Sequence, residues 1–278
     1  MSVINCKGKL LGLSEPRLMG IINATPDSFY EGYLPQGNAA MLSMAGKMIS
    51  DGADILDIGG QSTKPGSRRI PAQQELDRVL PVIEAVHAAY PDIIISIDTY
   101  SSEVARAAVA AGASIVNDIS GGNLDEAMMT AVAELKVPYV CMHMQGTPAT
   151  MQQDPVYNDV VQEVLDHFII KLEECHKAGI IDVLIDPGFG FGKTIEHNFR
   201  LLKNLSVLSI TRRPILAGLS RKGTIYKTLG VTATEALNGT TVLNTMALLN
   251  GASILRVHDV KEAKETIRLF NAYKKAPR

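Results

Sequence analysis

Asn23-Ala-Thr-Pro-Asp-Ser-Phe29 follows a short apolar run at 18–22. An amide, hydroxyls, a turn-forming proline and a carboxylate make a poor core and a good site. The same event recurs down the chain. Further apolar runs are followed by Asp57 with Gln61-Ser-Thr-Lys64, by Asp98-Thr99, by Asn117-Asp118, and by His143 with Gln145. The last ones are followed by Asp186, by Ser220-Arg-Lys222 and by Arg256-Val-His258. The general polarity of strand ends accounts for one or two such groups, not for a whole series.

These residues have two chemical characters. Asp98, Asn117 and Asp186 supply acceptors and an amide. They suit a flat heterocycle with N–H groups, because a carboxylate can accept two parallel hydrogen bonds from one edge. Ser220, Arg221, Lys222, Arg256 and His258 form a basic set at the end of the chain. Arginine offers a fork of donors that fits phosphate oxygens. The residue types imply a ligand with a nitrogen-rich ring at one end and phosphates at the other.

Other chemistries find less support. Gly192-Lys-Thr194 resembles the end of a phosphate-binding loop, but Pro187 stands where its first glycine belongs. Gly188-Phe-Gly190 starts a dinucleotide fingerprint, but Lys193 occupies the third glycine position. Residues 186–193 therefore read as a loop that brings Asp186 and an aromatic wall, Phe191, to the pocket. There is no G-x-S-x-G elbow, and no H-E-x-x-H or His/Cys cluster for a transition metal. His87, His167, His176 and His197 lie on helix-like stretches and are expected at the surface. A hard cation such as Mg2+ could rest on Asn23 and pyrophosphate oxygens, since it takes few protein ligands when phosphate is present.

The elements that must position these groups alternate regularly. Strands are expected at 18–22, 55–58, 93–97, 114–116, 139–142, 183–185, 215–217 and 254–257. The clearest helices are at 39–50, 72–89, 102–111, 125–135 and 160–177, with Ser101-Ser-Glu103 opening one and Gly112 and Gly179 closing two. Near-continuous apolar strands mean burial on both faces, as in a parallel sheet. Eight such β-then-α units predict a closed (β/α)8 TIM barrel of class α/β, with an open doubly wound sheet as the alternative. The chain, 1–278, reads as a single domain, with residues 1–17 expected to form a small hairpin over the barrel floor. In such a barrel the loops after the strands share one mouth.

Bulk properties agree. Of 278 residues, 46% are hydrophobic and 20% charged, as in a globular enzyme with a large core. A net charge of −2 gives no basic excess for nucleic acid. No apolar run is long enough to span a membrane, and the N-terminus lacks a signal-type apolar segment. Cys6, Cys141 and Cys175 are odd in number and far apart, which fits reduced thiols in the cytoplasm.

The segments starting at Asn23, Asp57, Ser96 and Asn117 resemble dihydropteroate synthases. So do Met142-His-Met-Gln-Gly146, Asp186–Lys193, Ser220-Arg-Lys-Gly223 and Arg256-Val-His-Asp259, all in family order. The resemblance implies a cytosolic (β/α)8 enzyme, usually a homodimer. Its members join 6-hydroxymethyl-7,8-dihydropterin diphosphate to 4-aminobenzoate with Mg2+ and release pyrophosphate. It implies that Asp98, Asn117, Asp186 and Lys222 hold the pterin, and that Thr63, Arg256 and His258 handle the diphosphate. Asn23 would meet the metal. Met142, Phe191 and Gly218 would line the pocket, and Ser220 and Arg221 would lie near the aminobenzoate. Asp98, Lys222, Arg256 and His258 are the catalytic expectations. The chain departs from the family at Tyr30, Glu31, Gln61 and Lys64, in two loops expected to fold over the substrates. A catalytically silent pterin-binding paralogue and a methyltetrahydrofolate methyltransferase are the alternatives; the latter would need no diphosphate site.

Overall fold

A computed structural model describes residues 3–25, 34–63 and 66–277. Tyr30, Glu31 and Lys64 lie outside the described residues.

Eight parallel strands form the barrel: β3 (Arg17–Asn23), β4 (Ile55–Gly59), β5 (Ile94–Asp98), β6 (Ile115–Asp118), β7 (Tyr139–Met142), β8 (Val183–Asp186), β9 (Leu216–Ala217) and β10 (Ile254–Val257). Neighbouring strands pair in the order β8-β7-β6-β5-β4-β3-β10-β9. A parallel bridge between Ile185 and Ile215 joins the two ends of that order and closes the cylinder. Helices α1 (Leu34–Asp51), α2 (Ala72–Ala89), α3 (Ser102–Ala111), α4 (Met128–Leu135), α5 (Val160–Ala178) and α6 (Ile195–Lys203) follow the first six strands. Two helices, α7 (Gly223–Leu229) and α8 (Leu237–Leu249), follow β9, and α9 (Val260–Lys275) follows β10. This is the barrel that the alternation predicted, not the open sheet.

Strand parity decides what faces the axis. Leu18, Leu56, Ile95, Ile97, Val116, Cys141, Ile185 and Leu255 belong to the large cluster packed against the helices. The alternate positions Met19, Ile55, Ile94, Ile115, Val140, Leu184, Leu216 and Ile254 form a second cluster inside the barrel. All stand at or near the starts of their strands, so they make up an apolar floor.

An antiparallel hairpin seals that floor. It consists of β1 (Val3–Cys6) and β2 (Lys9–Gly12), paired from Val3 with Gly12 to Cys6 with Lys9. Its Ile4, Cys6 and Leu11, with Leu13 just beyond it, join the floor cluster. Each fully buried aliphatic side chain contributes roughly 1.5–3 kcal/mol, so the plug is a substantial part of the stability.

Gly112 and Gly179 close α3 and α5 with φ values of +130° and +87°. The start of α3 differs from expectation. Ser101 occupies the cap position without a side-chain cap bond, and Ser102 N–H instead donates to Asp125 Oδ2 at 2.7 Å. The cap comes from the next crossover, where a carboxylate replaces a hydroxyl. His167 is also not a surface residue. It is half-buried, and its ring meets His143 edge to face at 4.8 Å.

Candidate functional site

Two to four residues above the floor, the inward positions of five strands turn polar. They are Asp57 on β4, Ser96 and Asp98 on β5, Asn117 on β6, Asp186 on β8 and Arg256 on β10. The strands that bury isoleucine at one end thus deliver carboxylates and a guanidinium at the other.

Arg256 crosses the barrel. Its Nε donates to Asp57 Oδ2 at 2.6 Å and its Nη2 to Asp98 Oδ2 at 2.5 Å. Asn117 Nδ2 also donates to Asp57 Oδ2, at 3.0 Å. Asp57 Oδ1, Asp98 Oδ1 and Ser96 Oγ are buried with no partner among the described residues. A buried, unpartnered acceptor is costly, so these oxygens are ready to take donors from a ligand. Burial, with Arg256 opposing it, pushes the Asp98 carboxyl up to about 7. The expected separation of acidic and basic ends is incomplete here, because Arg256 lies among the acids. A buried guanidinium takes the nearest carboxylates.

Asp186, Lys222 and Arg256 converge around Gly218. A Cβ at Gly218 would lie 3.7 Å from Lys222 Nζ, 3.8 Å from Asp186 Oδ2 and 4.0 Å from Arg256 Cβ. Asp186 Oδ1 accepts from Gly188 N–H at 2.7 Å. Lys222 Nζ donates to Phe189 O at 2.5 Å and sits 4.6 Å from the centre of the Phe191 ring. Burial lowers its pKa to about 8, although Asp186 pulls the other way. Met142 packs with Tyr100 and Ile119, and Phe191 leans on the same small cluster. The expected aromatic and thioether wall is therefore one surface.

At the β9–β10 edge, Ser220 Oγ accepts from His258 N–H at 3.2 Å and lies 3.0 Å from His258 Nδ1. Ser220 Oγ–H can donate to Nδ1 in the tautomer that carries the imidazole proton on Nε2. The ring opens to solvent at the rim, yet the protein around it and then Arg256 both lower its pKa, so it is neutral near pH 7. Arg221 does not join the cluster at Gly218. Its Nε and Nη2 fork onto Asp259 at 2.8 Å each, and its Nη1 donates to Ala233 O and Thr234 O.

Asn23 ends β3 with an exposed side chain. It shares a cavity of about 420 Å3 with Met41, Met44 and Lys47 of α1, His258 and Lys261. One amide beside open solvent suits a hard cation that keeps its waters and takes phosphate oxygens. Among the described residues no group of three His, Cys, Asp or Glu could hold a metal alone. Thr63 is half-buried where the described part of its loop ends.

Gln61 is more than a lost charge. It is buried, accepts from Ile70 N–H at 2.9 Å and donates to Arg68 O at 3.0 Å, tying its loop across nine residues. Asp118 is not part of the pocket. Its oxygens accept from Ser120, Gly122 and the Tyr139 hydroxyl. The expectations did not include the role of Asp57 as the shared acceptor of Arg256 and Asn117. Its position two residues after Ile55, in phase with Asp98 after Ser96, was the available signal. They also missed Lys193, which no periodicity marks.

The profile of the family described as "Pterin binding enzyme" matches residues 19–258. The dihydropteroate synthase of Escherichia coli strain K12 is 42% identical over 96% of this chain and 94% of its own length. A Xanthomonas albilineans dihydropteroate synthase solved with 4-aminobenzoic acid superposes with a TM-score of 0.93 at 40% identity, over 99% of each chain. A structure of the enzyme from the same organism in complex with 7,8-dihydropteroate gives a TM-score of 0.90 at 38% identity, over 99% of this chain and 100% of that one. With its acids and cations gathered around Gly218 in that barrel, the chain belongs to the pterin-binding enzyme family, among the dihydropteroate synthases.

Proposed function

We propose that this chain condenses 6-hydroxymethyl-7,8-dihydropterin diphosphate with 4-aminobenzoate, giving 7,8-dihydropteroate and pyrophosphate. The observation that carries the reading is the meeting of Asp186, Lys222 and Arg256 at Gly218, beside the unpartnered oxygens of Asp57 and Asp98.

The pterin edge donates N–H groups to Asp98 and Asp186, and Asn117 orients the ring. Met142 and Phe191 hold its faces, and Gly218 gives it room. Lys222 completes the ring site. Arg256, His258 through Nε2–H, and Thr63 donate to the diphosphate. Ser220 fixes the His258 tautomer at the aminobenzoate side, and Arg221 holds that loop through Asp259.

The C–O bond to the diphosphate breaks, and the leaving group departs with the electron pair. The arylamine lone pair forms the new C–N bond, and its proton is released. The positive charge that builds on the methylene carbon spreads into the pterin ring, which Asp98 and Asp186 favour. An arylamine is already a competent nucleophile, so no activated serine or cysteine is needed. Alignment and exclusion of water are the protein's main tasks.

Mg2+, assigned to Asn23, would neutralise charge on the diphosphate. The free, buried cysteines fit a reducing compartment, the cytoplasm. No described helix is long and apolar enough to cross a membrane. A homodimer is supported by an exposed apolar stripe on α8, where Val242, Met246 and Leu249 follow helical spacing. Sedimentation showing only monomer at all concentrations would remove that assignment.

The test of function is an assay with both substrates and Mg2+. Pyrophosphate and dihydropteroate should appear together, and only when both substrates are present. Binding of the pterin diphosphate without product would overturn the reading in favour of a silent paralogue.

A further inference from the structure

Residues 187–193 join β8 to α6 without any strand or helix. Even so, each carbonyl from Gly188 to Gly192 accepts a bond from a side chain. Lys193 Nζ donates to Gly188 O and to Phe191 O, both at 3.1 Å. Lys222 reaches Phe189 O, Gln152 reaches Gly190 O at 2.7 Å, and the Tyr157 hydroxyl reaches Gly192 O at 2.7 Å. Lys193 supplies two of these five bonds and Lys222, at the pterin site, supplies another.

Lys193 is buried at 2% exposure. Its third acceptor is His143 Nδ1, at 2.8 Å. Three acceptors match the three N–H groups of an ammonium, and they link the loop to the end of β7. The glycines explain why the loop lies so close. Gly188 has φ +68°, and a Cβ there would fall 1.9 Å from His143 O. A Cβ at Gly192 would lie 2.5 Å from Gln145 O.

We propose that Lys193 is a positioning residue: its three bonds hold the 187–193 loop in the shape that presents Phe189 O and the Phe191 ring to Lys222, and so set the geometry of the pterin diphosphate site. This rests on the reaction proposed above. Lys193 does not touch the substrate. It acts through the loop, because without it Phe191 O and the His143 ring nitrogen lose their donor, and Gly188 O keeps only Phe191 N–H, at 3.1 Å.

The test compares the full-length protein with Lys193→Met, which keeps the stem and removes the donors. The readouts are KM for each substrate and amide hydrogen exchange. KM for the pterin diphosphate should rise about ten-fold or more, with KM for aminobenzoate nearly unchanged. Exchange should quicken at 187–193 and stay slow in the barrel strands. Unchanged KM, or faster exchange spread over the whole barrel without a KM effect, overturns the inference.

If Lys193→Met does not fold, His143→Leu decides instead. It removes one acceptor and leaves the lysine, and the same pairing of KM and local exchange is expected. His143→Asn keeps an acceptor near the Nδ1 position and should restore both values. Calorimetry separates the two levels. Wild type that fails to bind the pterin diphosphate ends the functional reading. A variant that binds it as well as wild type ends only the role of Lys193.

Discussion

The floor and the mouth of this barrel are built from the same strands, yet they obey opposite rules. On β8, Leu184 and Asp186 are two residues apart and both face the axis. Leu184 is sealed among Ile55, Val140 and Leu216 under the hairpin. Asp186 stands with Lys222 and Arg256 around Gly218. The floor satisfies every contact within the protein. The mouth leaves Asp57 Oδ1, Asp98 Oδ1 and Ser96 Oγ without partners among the described residues. A barrel can carry such unsatisfied groups because its other half is closed and dry. Stability and chemistry are separated along the strand by about two residues, or roughly 7 Å.

Paired substitutions on β8 test that division most strongly. Asp186→Ala should weaken pterin diphosphate binding by roughly 2–5 kcal/mol, from about 30-fold to several thousand-fold, and barely move Tm. Lys222→Ala should act in the same way. Leu184→Ala should cost about 2–5 kcal/mol of stability in denaturant melts and leave KM near its original value. If Asp186→Ala lowers Tm and leaves affinity intact, the two regions do not differ as described.

A pH titration sharpens the comparison. Lys222 is held down to about 8 by burial. Its cation disappears as pH rises through that value, so affinity for the diphosphate should fall above pH 8, by up to about ten-fold per unit. Stability should move the other way. The folded state favours neutral Lys222, so the penalty for its charge fades between pH 8 and the lysine's ordinary value. Lys222→Arg should remove the slope in calorimetry. The smallest effect is expected at the rim. Ser220→Ala frees the His258 tautomer and should lower kcat by about two- to ten-fold, equivalent to roughly 0.5–1.5 kcal/mol.

Much of this was legible in the sequence. The strands at 139–142 and 254–257 and the helices at 72–89 and 102–111 have the bounds expected of them. The remaining strands shift by a residue or two at one end or both, and the extensions to Asn23, Gly59, Asp98, Asp118 and Asp186 carry them into the polar mouth. The hairpin expected in residues 1–17 forms the plug. Partners were harder to read than positions. Asn117 and Asp118 are adjacent and equally polar, but one faces Asp57 and the other faces Tyr139. Arg256 was placed at the phosphate end, and it also bonds Asp57 and Asp98 across the barrel, a partnership that spacing does not reveal. Lys193 looked like the tail of a failed motif, and it is buried against His143.

The amino-acid order alone determined the alternation of strands and helices, the apolar start of each strand and the chemical groups that follow it. These are local properties, set by side-chain period and by the conformational limits of glycine and proline. The fold decided which charges meet, which oxygens remain without a donor and which lysine comes to Asp186. Those depend on distances between residues as far apart as Asp57 and Arg256, and only closure of the barrel fixes them.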